Sequence, residues 1–129
     1  KKIKMVEGNS YSAEKEAFEK KVKEVVAFYR DFPKKGVNFM DLFSLTSKPE
    51  FFKDLIQHVK LTITEEIGQP GEAFNVVVGL EARGFVFGPI LAYEWGLPFV
   101  PVRKHGSLPG ECFSVTYTKE YGEDIIDLQ

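Results

Sequence analysis

A short apolar run at residues 74–79 constrains the fold more than any other feature of this sequence. Its centre, Val76–Val78, is β-branched, and turn residues bound the run, which is typical of a strand buried on both faces. The apolar residues 85–95 then predict a helix, and residues 97–102 predict a second buried strand. Strand, helix and strand within about thirty residues form a βαβ unit. Such a unit implies a parallel pair of strands with a right-handed crossover.

Two amphipathic helices are predicted ahead of this unit. Apolar residues recur at helical spacing over residues 12–29, with Ser12 as the N-cap, and again over residues 49–67. The loop predicted between them, residues 31–41, carries three large apolar side chains. A loop with that much apolar surface either packs onto a core or lines a pocket.

A β-hairpin is predicted after the unit. Residues 113–118 alternate between apolar and polar side chains, residues 126–128 continue the alternation, and Gly122 marks the turn. The predicted fold class is therefore α/β: a parallel sheet core with flanking helices, plus an antiparallel β-hairpin. Residues 12–129 are expected to form a single domain, and residues 1–11 a flexible basic tail. Because sheets usually have about four to six strands, we expect this domain to be incomplete and the chain to be part of a longer polypeptide.

Composition and charge exclude several classes of protein. Seventeen basic and 19 acidic residues give a net charge of −2, so no general attraction to nucleic acid or to an acidic membrane is expected. No segment approaches the roughly 20 apolar residues that cross a bilayer. The single cysteine, Cys112, excludes an internal disulfide framework and suits a reducing compartment such as the cytoplasm. Because His58 and His105 lack partners at metal-binding spacing, no protein-held metal is expected.

The turn between the predicted strand and helix is the first candidate site. In open α/β sheets, ligands bind beyond the carboxyl ends of the strands, where helix N-termini present free N–H groups to anions. Gly79 and Gly84 permit close approach of the backbone, and the guanidinium of Arg83 can bind two phosphate oxygens at once. An ordinary turn with a solvated arginine is the alternative, and the residues alone leave both open.

Two later segments also carry candidate groups. Arg103, Lys104 and His105 follow the second strand at the same predicted rim, and residues 106–110 form a glycine-containing loop of the kind that lids require. A solvated basic loop is the alternative. Residues 119–124 are typical of a charged turn, in which a carboxylate accepts a proton only if a substrate reaches it.

Four groups of residues together match a known pattern. They are Asp31-Phe32-Pro33 with Gly36-Val37 and Phe39-Met40-Asp41; Glu81-Ala82-Arg83-Gly84-Phe85 with Phe87-Gly88-Pro89; Arg103-Lys104 with Gly106 and Leu108-Pro109-Gly110; and Tyr117 with Glu120-Tyr121-Gly122. In order and spacing, from Phe28 to Gln129, they resemble the adenine phosphoribosyltransferase family. The resemblance implies a type I phosphoribosyltransferase, an enzyme that joins adenine to 5-phosphoribosyl 1-pyrophosphate (PRPP). The products would be AMP and pyrophosphate, in purine salvage.

The resemblance also implies a binding site for the pyrophosphate of PRPP. Its residues would be Glu81, Ala82, Arg83 and Gly84, together with the basic pair Arg103 and Lys104. In the family, the peptide bond between the first two residues of this loop is often cis. Arg103 is in addition a catalytic candidate, because cations aimed at the leaving pyrophosphate stabilise the transition state. Mg²⁺ is implied as a cofactor that the pyrophosphate carries, without a protein ligand in this chain.

The adenine site and the catalytic loop follow from the same resemblance. Asn38, Phe39 and Met40 match the hood over the base, where backbone groups recognise adenine and the Phe ring packs on it. Glu120 matches the catalytic carboxylate that handles the purine ring proton. Ser107 and Tyr121 match positions in the family's loops around the reaction.

Departures from the family pattern define an alternative. Met40 stands where the family has Arg, and Ser107 stands where it has Lys. The PRPP signature, two adjacent acidic residues followed by a Thr/Gly-rich loop, is absent from the 129 residues, so we expect an amino-terminal portion of the enzyme that is inactive alone. The alternative is a non-catalytic, regulatory or nucleotide-binding relative. The resemblance further implies a homodimer.

Overall fold

The computed structural model describes residues 8–119 and 122–129 of the chain. The helices are α1 (Gly8–Val25), α2 (Phe43–Thr46), α3 (Pro49–Glu66) and α4 (Gly84–Trp95). The strands are β1 (Ala27–Arg30), β2 (Asn38–Asp41), β3 (Val77–Leu80), β4 (Phe99–Lys104), β5 (Phe113–Lys119) and β6 (Gly122–Leu128). The chain divides into two compact units, one up to Val59 and the other from Lys60 to Gln129. That residues 12–129 act as a single domain stays a prediction.

In the first unit, α1 differs at both ends from the helix that the sequence predicts. It is helical from Gly8 onward, so the N-cap predicted at Ser12 is wrong. It ends at Val25, so the predicted helix is wrong over residues 27–29. These residues belong to β1, which pairs antiparallel with β2. The ladder supplies the backbone hydrogen bonds that a longer helix would otherwise make, and pairing with a distant strand therefore overrides the local pattern.

The connection between β1 and β2 is a structured turn. Asp31 has a left-handed φ of 57°, and its Oδ1 accepts a hydrogen bond from the N–H of Gly36 at 2.7 Å. The Phe32–Pro33 peptide bond is cis, and the rings of Phe32 and Phe39 meet edge to face with centroids 5.2 Å apart. The predicted loop is thus wrong for residues 38–41, because a strand of four residues is too short to show a clear alternation.

The helices of this unit pack through aromatic side chains. Phe18 of α1 stacks on Phe51 and His58 of α3, with ring centroids 5.6 and 4.2 Å apart. The short helix α2, which the sequence did not indicate, presents Ser44, whose Oγ accepts a hydrogen bond from the N–H of Ala27 at 2.9 Å. This contact joins the start of β1 to α2.

The second unit contains a four-stranded sheet in the order β3-β4-β6-β5. β3 and β4 are parallel and are joined through α4, which confirms the predicted βαβ unit. β6 runs antiparallel both to β4 and to β5, so the predicted hairpin extends the same sheet. The fold class predicted from the sequence is therefore confirmed, as a mixed sheet with one parallel pair, flanking helices and an antiparallel hairpin.

Close approach of α4 to the sheet depends on glycines around one aromatic ring. A Cβ atom placed on Gly79 would lie 2.7 Å from Cε2 of Phe99 and 2.9 Å from the carbonyl oxygen of Gly84. A Cβ on Gly88 of α4 would lie 2.5 Å from the same Cε2 atom. The helix ends at Gly96, whose φ of 64° is the left-handed conformation common at helix C-termini. The ring of Phe99 thus occupies the space that side chains would take at these glycines.

The prediction that both faces of the first strand are buried is wrong. α4 covers the face that bears Gly79, whereas Val78 and Leu80 on the other face are 48% and 59% exposed. The apolar composition of the strand does not distinguish one covered face from two. Within the described ranges, none of the helices combines the length and the apolar composition needed to cross a bilayer.

Candidate functional site

The carboxyl ends of β3 and β4 form one rim of the sheet, where the predicted pyrophosphate residues lie. Leu80 at the end of β3 pairs with Val102, and the N–H of Glu81 donates to the carbonyl oxygen of Val102 at 3.0 Å. Because the two strands are parallel, residues 81–84, which follow β3, lie at the same rim as Arg103 and Lys104, the last two residues of β4. The structure thus brings these residues to one edge, as the sequence predicts.

The turn before α4 has the geometry that the resemblance implies. The Glu81–Ala82 peptide bond is cis. Arg83 is the N-cap residue of α4, and its side chain makes no capping hydrogen bond. Its predicted place, at a helix N-terminus beside the carboxyl end of the first strand, is confirmed. That the turn binds an anion stays a prediction.

Arg103 is held at this rim by three hydrogen bonds. Its Nε and Nη2 atoms donate to the two carboxylate oxygens of Glu81, at 3.1 and 3.3 Å, and its Nη1 donates to the carbonyl oxygen of Ser107 at 2.9 Å. The hydrogen bond from Arg103 lowers the pKa of Glu81, although desolvation opposes the shift. The carboxylate therefore stays ionised, and an anionic ligand that binds the guanidinium has to compete with it.

A cavity of about 190 Å³ opens at the same rim. Its lining residues are Leu80, Glu81, Val102, Arg103, Lys104, Tyr117, Asp124 and Ile126. Three predicted pyrophosphate residues thus line it, while Ala82, Arg83 and Gly84 follow in the adjoining turn. The hairpin contributes Tyr117, whose hydroxyl lies 3.4 Å from Oδ2 of Asp124.

The sequence analysis missed Asp127 on β6. Its carboxylate is 3% exposed and accepts hydrogen bonds from groups of β5 and of the loop at residues 105–112, called the basic loop below. The signal that could have found it is an acidic residue between the apolar Ile126 and Leu128, at a strand position that faces the same side as Arg103. Alternation alone does not show whether that side is buried.

The predicted adenine residues all lie on β2 but do not meet in one cavity. Phe39 lines an aromatic cavity of about 370 Å³, together with Tyr29, Phe32, Asp41 and Phe43. Asn38 lines another of about 260 Å³, and Met40 is 51% exposed and lines neither. The strand explains the separation, because successive side chains point to opposite faces.

The remaining candidates lie in the loops. Glu120 and Tyr121 lie outside the described residues. Ser107 is in the basic loop, where its N–H donates to the carbonyl oxygen of Lys104 at 3.0 Å. Over residues 8–119 and 122–129, no three His, Cys, Asp or Glu side chains group in a way that could hold a metal ion.

Curated proteins similar to this chain are adenine phosphoribosyltransferases. Adenine phosphoribosyltransferase 1 of Saccharomyces cerevisiae is 48% identical over 101 residues, which cover 78% of this chain and 53% of that protein. The Caenorhabditis elegans adenine phosphoribosyltransferase is 41% identical over 109 residues, which cover 84% and 57%. The chain thus spans about half the length of the curated relatives it matches. No protein-family model matches it.

Solved structures give the same result. The S. cerevisiae adenine phosphoribosyltransferase complexed with an imino-altritol bisphosphate and adenine has a TM-score of 0.80 and 43% identity, over 88% of this chain and 64% of that one. The Trypanosoma brucei enzyme in complex with AMP, pyrophosphate and ribose-5-phosphate has a TM-score of 0.68 and 25% identity, over 85% and 48%. The resemblance seen in the motifs is confirmed: over most of its length, this chain is homologous to adenine phosphoribosyltransferases.

Proposed function

We propose that this protein, as a homologue of adenine phosphoribosyltransferases, transfers the phosphoribosyl group of PRPP to adenine and releases pyrophosphate in purine salvage. The observation that carries the proposal is the common rim of Glu81, Arg83, Arg103 and Lys104, in a chain whose relatives are named for this reaction. The comparisons do not favour the non-catalytic alternative, which rests on the departures at Met40 and Ser107 and on the absent PRPP signature. Because the chain spans about half of its relatives, we propose that it supplies part of the catalytic machinery.

The rim chemistry suits the departure of pyrophosphate. In the reaction, a ring nitrogen of adenine bonds to the anomeric carbon of the ribose while the bond from that carbon to pyrophosphate breaks. Positive charge develops on the sugar, and a highly charged anion leaves. Arg83 and Lys104 would bind the leaving group, and Arg103, which Glu81 already orients, would join them when the anion competes with that carboxylate.

Magnesium would enter this site with the substrate. The oxygen atoms of pyrophosphate are the hard ligands that Mg²⁺ prefers, and the ion reduces the negative charge that the rim has to accommodate. Oxygen donors at the rim fit such an ion: the carboxylates of Glu81 and Asp124 line the cavity. Because Glu81 is held by Arg103, we propose that the ion is carried by PRPP and not by a dedicated protein site.

The aromatic cavity beside Phe39 would hold the adenine. Its volume of about 370 Å³ falls within the range of small-molecule sites, and aromatic rings stack favourably on a planar base. The family resemblance assigns backbone N–H and C=O groups of Asn38 and Met40 to recognition of the base, but neither residue lines this cavity. Phe39 therefore carries the side-chain part of base recognition in this proposal.

Glu120 would accept the purine proton, with Tyr121 and Ser107 in the loops that close over the reaction. A closed loop keeps water from competing with adenine as the nucleophile. A homodimer in the cytoplasm belongs to the proposal as well, on the basis of the resemblance in the motifs. Static light scattering of the purified protein measures its oligomeric state, and a monomer at assay concentration would contradict the dimer.

The deciding experiment is an assay of AMP formation from adenine and PRPP. The protein is expressed from its complete coding sequence, and hypoxanthine and guanine serve as alternative bases. We expect AMP and pyrophosphate in equal amounts, dependent on added Mg²⁺, with adenine strongly preferred. Tight binding of PRPP or AMP without turnover would instead identify a non-catalytic relative, and turnover of hypoxanthine or guanine alone would contradict adenine as the substrate.

A further inference from the structure

A buried carboxylate on β6 connects the basic loop, residues 105–112, to the hairpin. Asp127 is 3% exposed, and its Oδ1 atom lies 3.0 Å from Nδ1 of His105 and 2.8 Å from Oγ of Ser114. Its Oδ2 atom accepts a hydrogen bond from the N–H of Gly106 at 2.9 Å. A buried carboxylate costs free energy unless such donors satisfy it, so the three contacts form one unit.

The same contacts fix the first turn of the basic loop. His105 and Gly106 open the loop, and Gly106 adopts a left-handed φ of 77° directly beside the carboxylate. The N–H of His105 also donates to the carbonyl oxygen of Ile125 on β6, at 3.1 Å. The next residue, Ser107, offers its carbonyl oxygen to Arg103. The loop is therefore held by Asp127 on one side and by the rim arginine on the other.

Strand register places Asp127 where it can act on the rim. In the β4–β6 ladder it lies opposite Arg103, and in the β5–β6 ladder it lies opposite Ser114. The basic loop and β5 thus both donate hydrogen bonds to this carboxylate, and the backbone ladders of the sheet do not depend on it. Removing the charge should release the loop before it unfolds the sheet.

We propose that Asp127 is a positioning residue, which holds the start of the basic loop so that Arg103 is presented to the pyrophosphate of PRPP. This proposal rests on the function proposed above. Asp127 does not touch the substrate itself; it acts through His105, Gly106 and the turn that ends at Ser107. Loss of this restraint would allow Ser107 to move and would remove one of the three hydrogen bonds that orient Arg103.

The test uses Asp127→Asn, which keeps the shape but replaces one acceptor by an amide donor, and Ser114→Ala, which removes one donor. Thr116→Ala is the matched control, since Thr116 lies two residues further along β5 on the same face. Two readouts are needed: hydrogen exchange of the amides of residues 105–112, and the steady-state constants for PRPP and adenine. Exchange is independent of activity, so it remains decisive if the protein makes no AMP.

We expect faster exchange in residues 105–112 for Asp127→Asn, with the β3–β4 amides unchanged. We also expect a rise of about tenfold or more in KM for PRPP and little change in KM for adenine, because misplacement of a binding group by about 1 Å can cost up to 10²-fold. Ser114→Ala should show the same pattern more weakly, and Thr116→Ala should match the parent. Exchange at the parent rate, a uniform increase across the sheet, or equal effects on both substrates would overturn the proposal. If the parent protein makes no AMP but Asp127→Asn still speeds exchange in residues 105–112, the proposed function is refuted and the role of Asp127 in holding the loop is supported.

Discussion

The β3–α4–β4 crossover and the β5–β6 hairpin share one sheet but are held in place in different ways. In the crossover, the ring of Phe99 lies so close to the backbone at Gly79 and Gly88 that a side chain would not fit at either position. In the hairpin, the backbone ladder and the hydrogen bonds of Asp127 hold the strands, while Phe113 and Val115 are 79% and 58% exposed. Substitutions in the crossover should therefore change stability and PRPP binding. In the hairpin, substitutions away from Asp127 and its partners should change turnover or have little effect.

The largest effect is expected at Glu120, which lies between β5 and β6 in the sequence. Glu120→Gln keeps the size and hydrogen bonding of the side chain but removes the base, so kcat should fall on the order of 10²-fold while both KM values change little. Glu123→Gln, a nearby carboxylate of β6, is the control and should match the parent. Steady-state and single-turnover AMP formation measure the effect. Turnover at the parent rate with chemistry rate-limiting would leave Glu120 as part of an ordinary charged turn.

The next effect concerns packing in the crossover. Gly79→Ala places a Cβ against both Phe99 and the carbonyl oxygen of Gly84, and it should destabilise the fold by roughly 1–3 kcal/mol. Chemical denaturation monitored by circular dichroism measures the free energy of unfolding. Phe99→Leu in the same chain should recover part of the loss, because it removes the ring. Parent stability in Gly79→Ala would show that the crossover is packed more loosely than its geometry indicates.

Arg83 tests ligand binding in the crossover. Arg83→Ala should weaken PRPP binding roughly tenfold, because hydrogen bonds between charged groups contribute about 1.5–3 kcal/mol each. The PRPP affinity of Arg83→Lys should fall between those of the parent and of Arg83→Ala, since lysine keeps the charge but loses the paired donors. Isothermal titration calorimetry with PRPP measures the affinity, and adenine binding is the control. Unchanged PRPP affinity in Arg83→Ala would remove the turn from the anion site.

The hairpin should also respond to acid. Hydrogen bonds from His105, Ser114 and Gly106 lower the pKa of Asp127 below its ordinary value of 3.8. As the pH falls, the unfolded chain therefore takes up this proton at a higher pH than the folded protein does. The contribution of Asp127 to the free energy of unfolding is fully present above pH 3.8 and is lost as the pH falls through the folded-state pKa. Denaturation at several pH values should show a shallower acid loss for Asp127→Asn than for the parent. Asp54→Asn, on the exposed face of α3, should keep the parent slope.

The smallest effect is expected on the exposed face of the hairpin. Val115→Thr keeps a β-branched side chain at an exposed position and should change the free energy of unfolding by no more than about 0.5 kcal/mol. Val102→Thr buries a hydroxyl at a position that is 8% exposed, and it should cost about 1–3 kcal/mol. Thermal denaturation of both variants compares the two sites. A large loss in Val115→Thr would mean that this face is covered in the folded protein.

Much of the site could be predicted because its residues follow strands that the local pattern identifies. The run at residues 74–79 and the helix that ends at Gly96 predict the crossover, and parallel strands place residues 81–84 and Arg103 at one rim. The pairing of Arg103 with Glu81 could not be predicted in the same way. The pairing depends on β4 continuing past Val102 to Lys104 while β3 ends at Leu80, and the alternation of apolar residues does not specify where each strand ends.

The sequence by itself determined the βαβ unit, the hairpin and the order of the motifs, because periodicity and turn residues act over a few positions at a time. Only the tertiary structure decided that Ala27–Arg30 forms a strand, that one face of β3 is exposed, and that Asp127 is buried beneath the basic loop. Each of these depends on what a segment meets from a distant part of the chain. A hydrogen-bond ladder or a covering helix stabilises a segment only when the distant partner is present, and the local sequence pattern does not specify that partner.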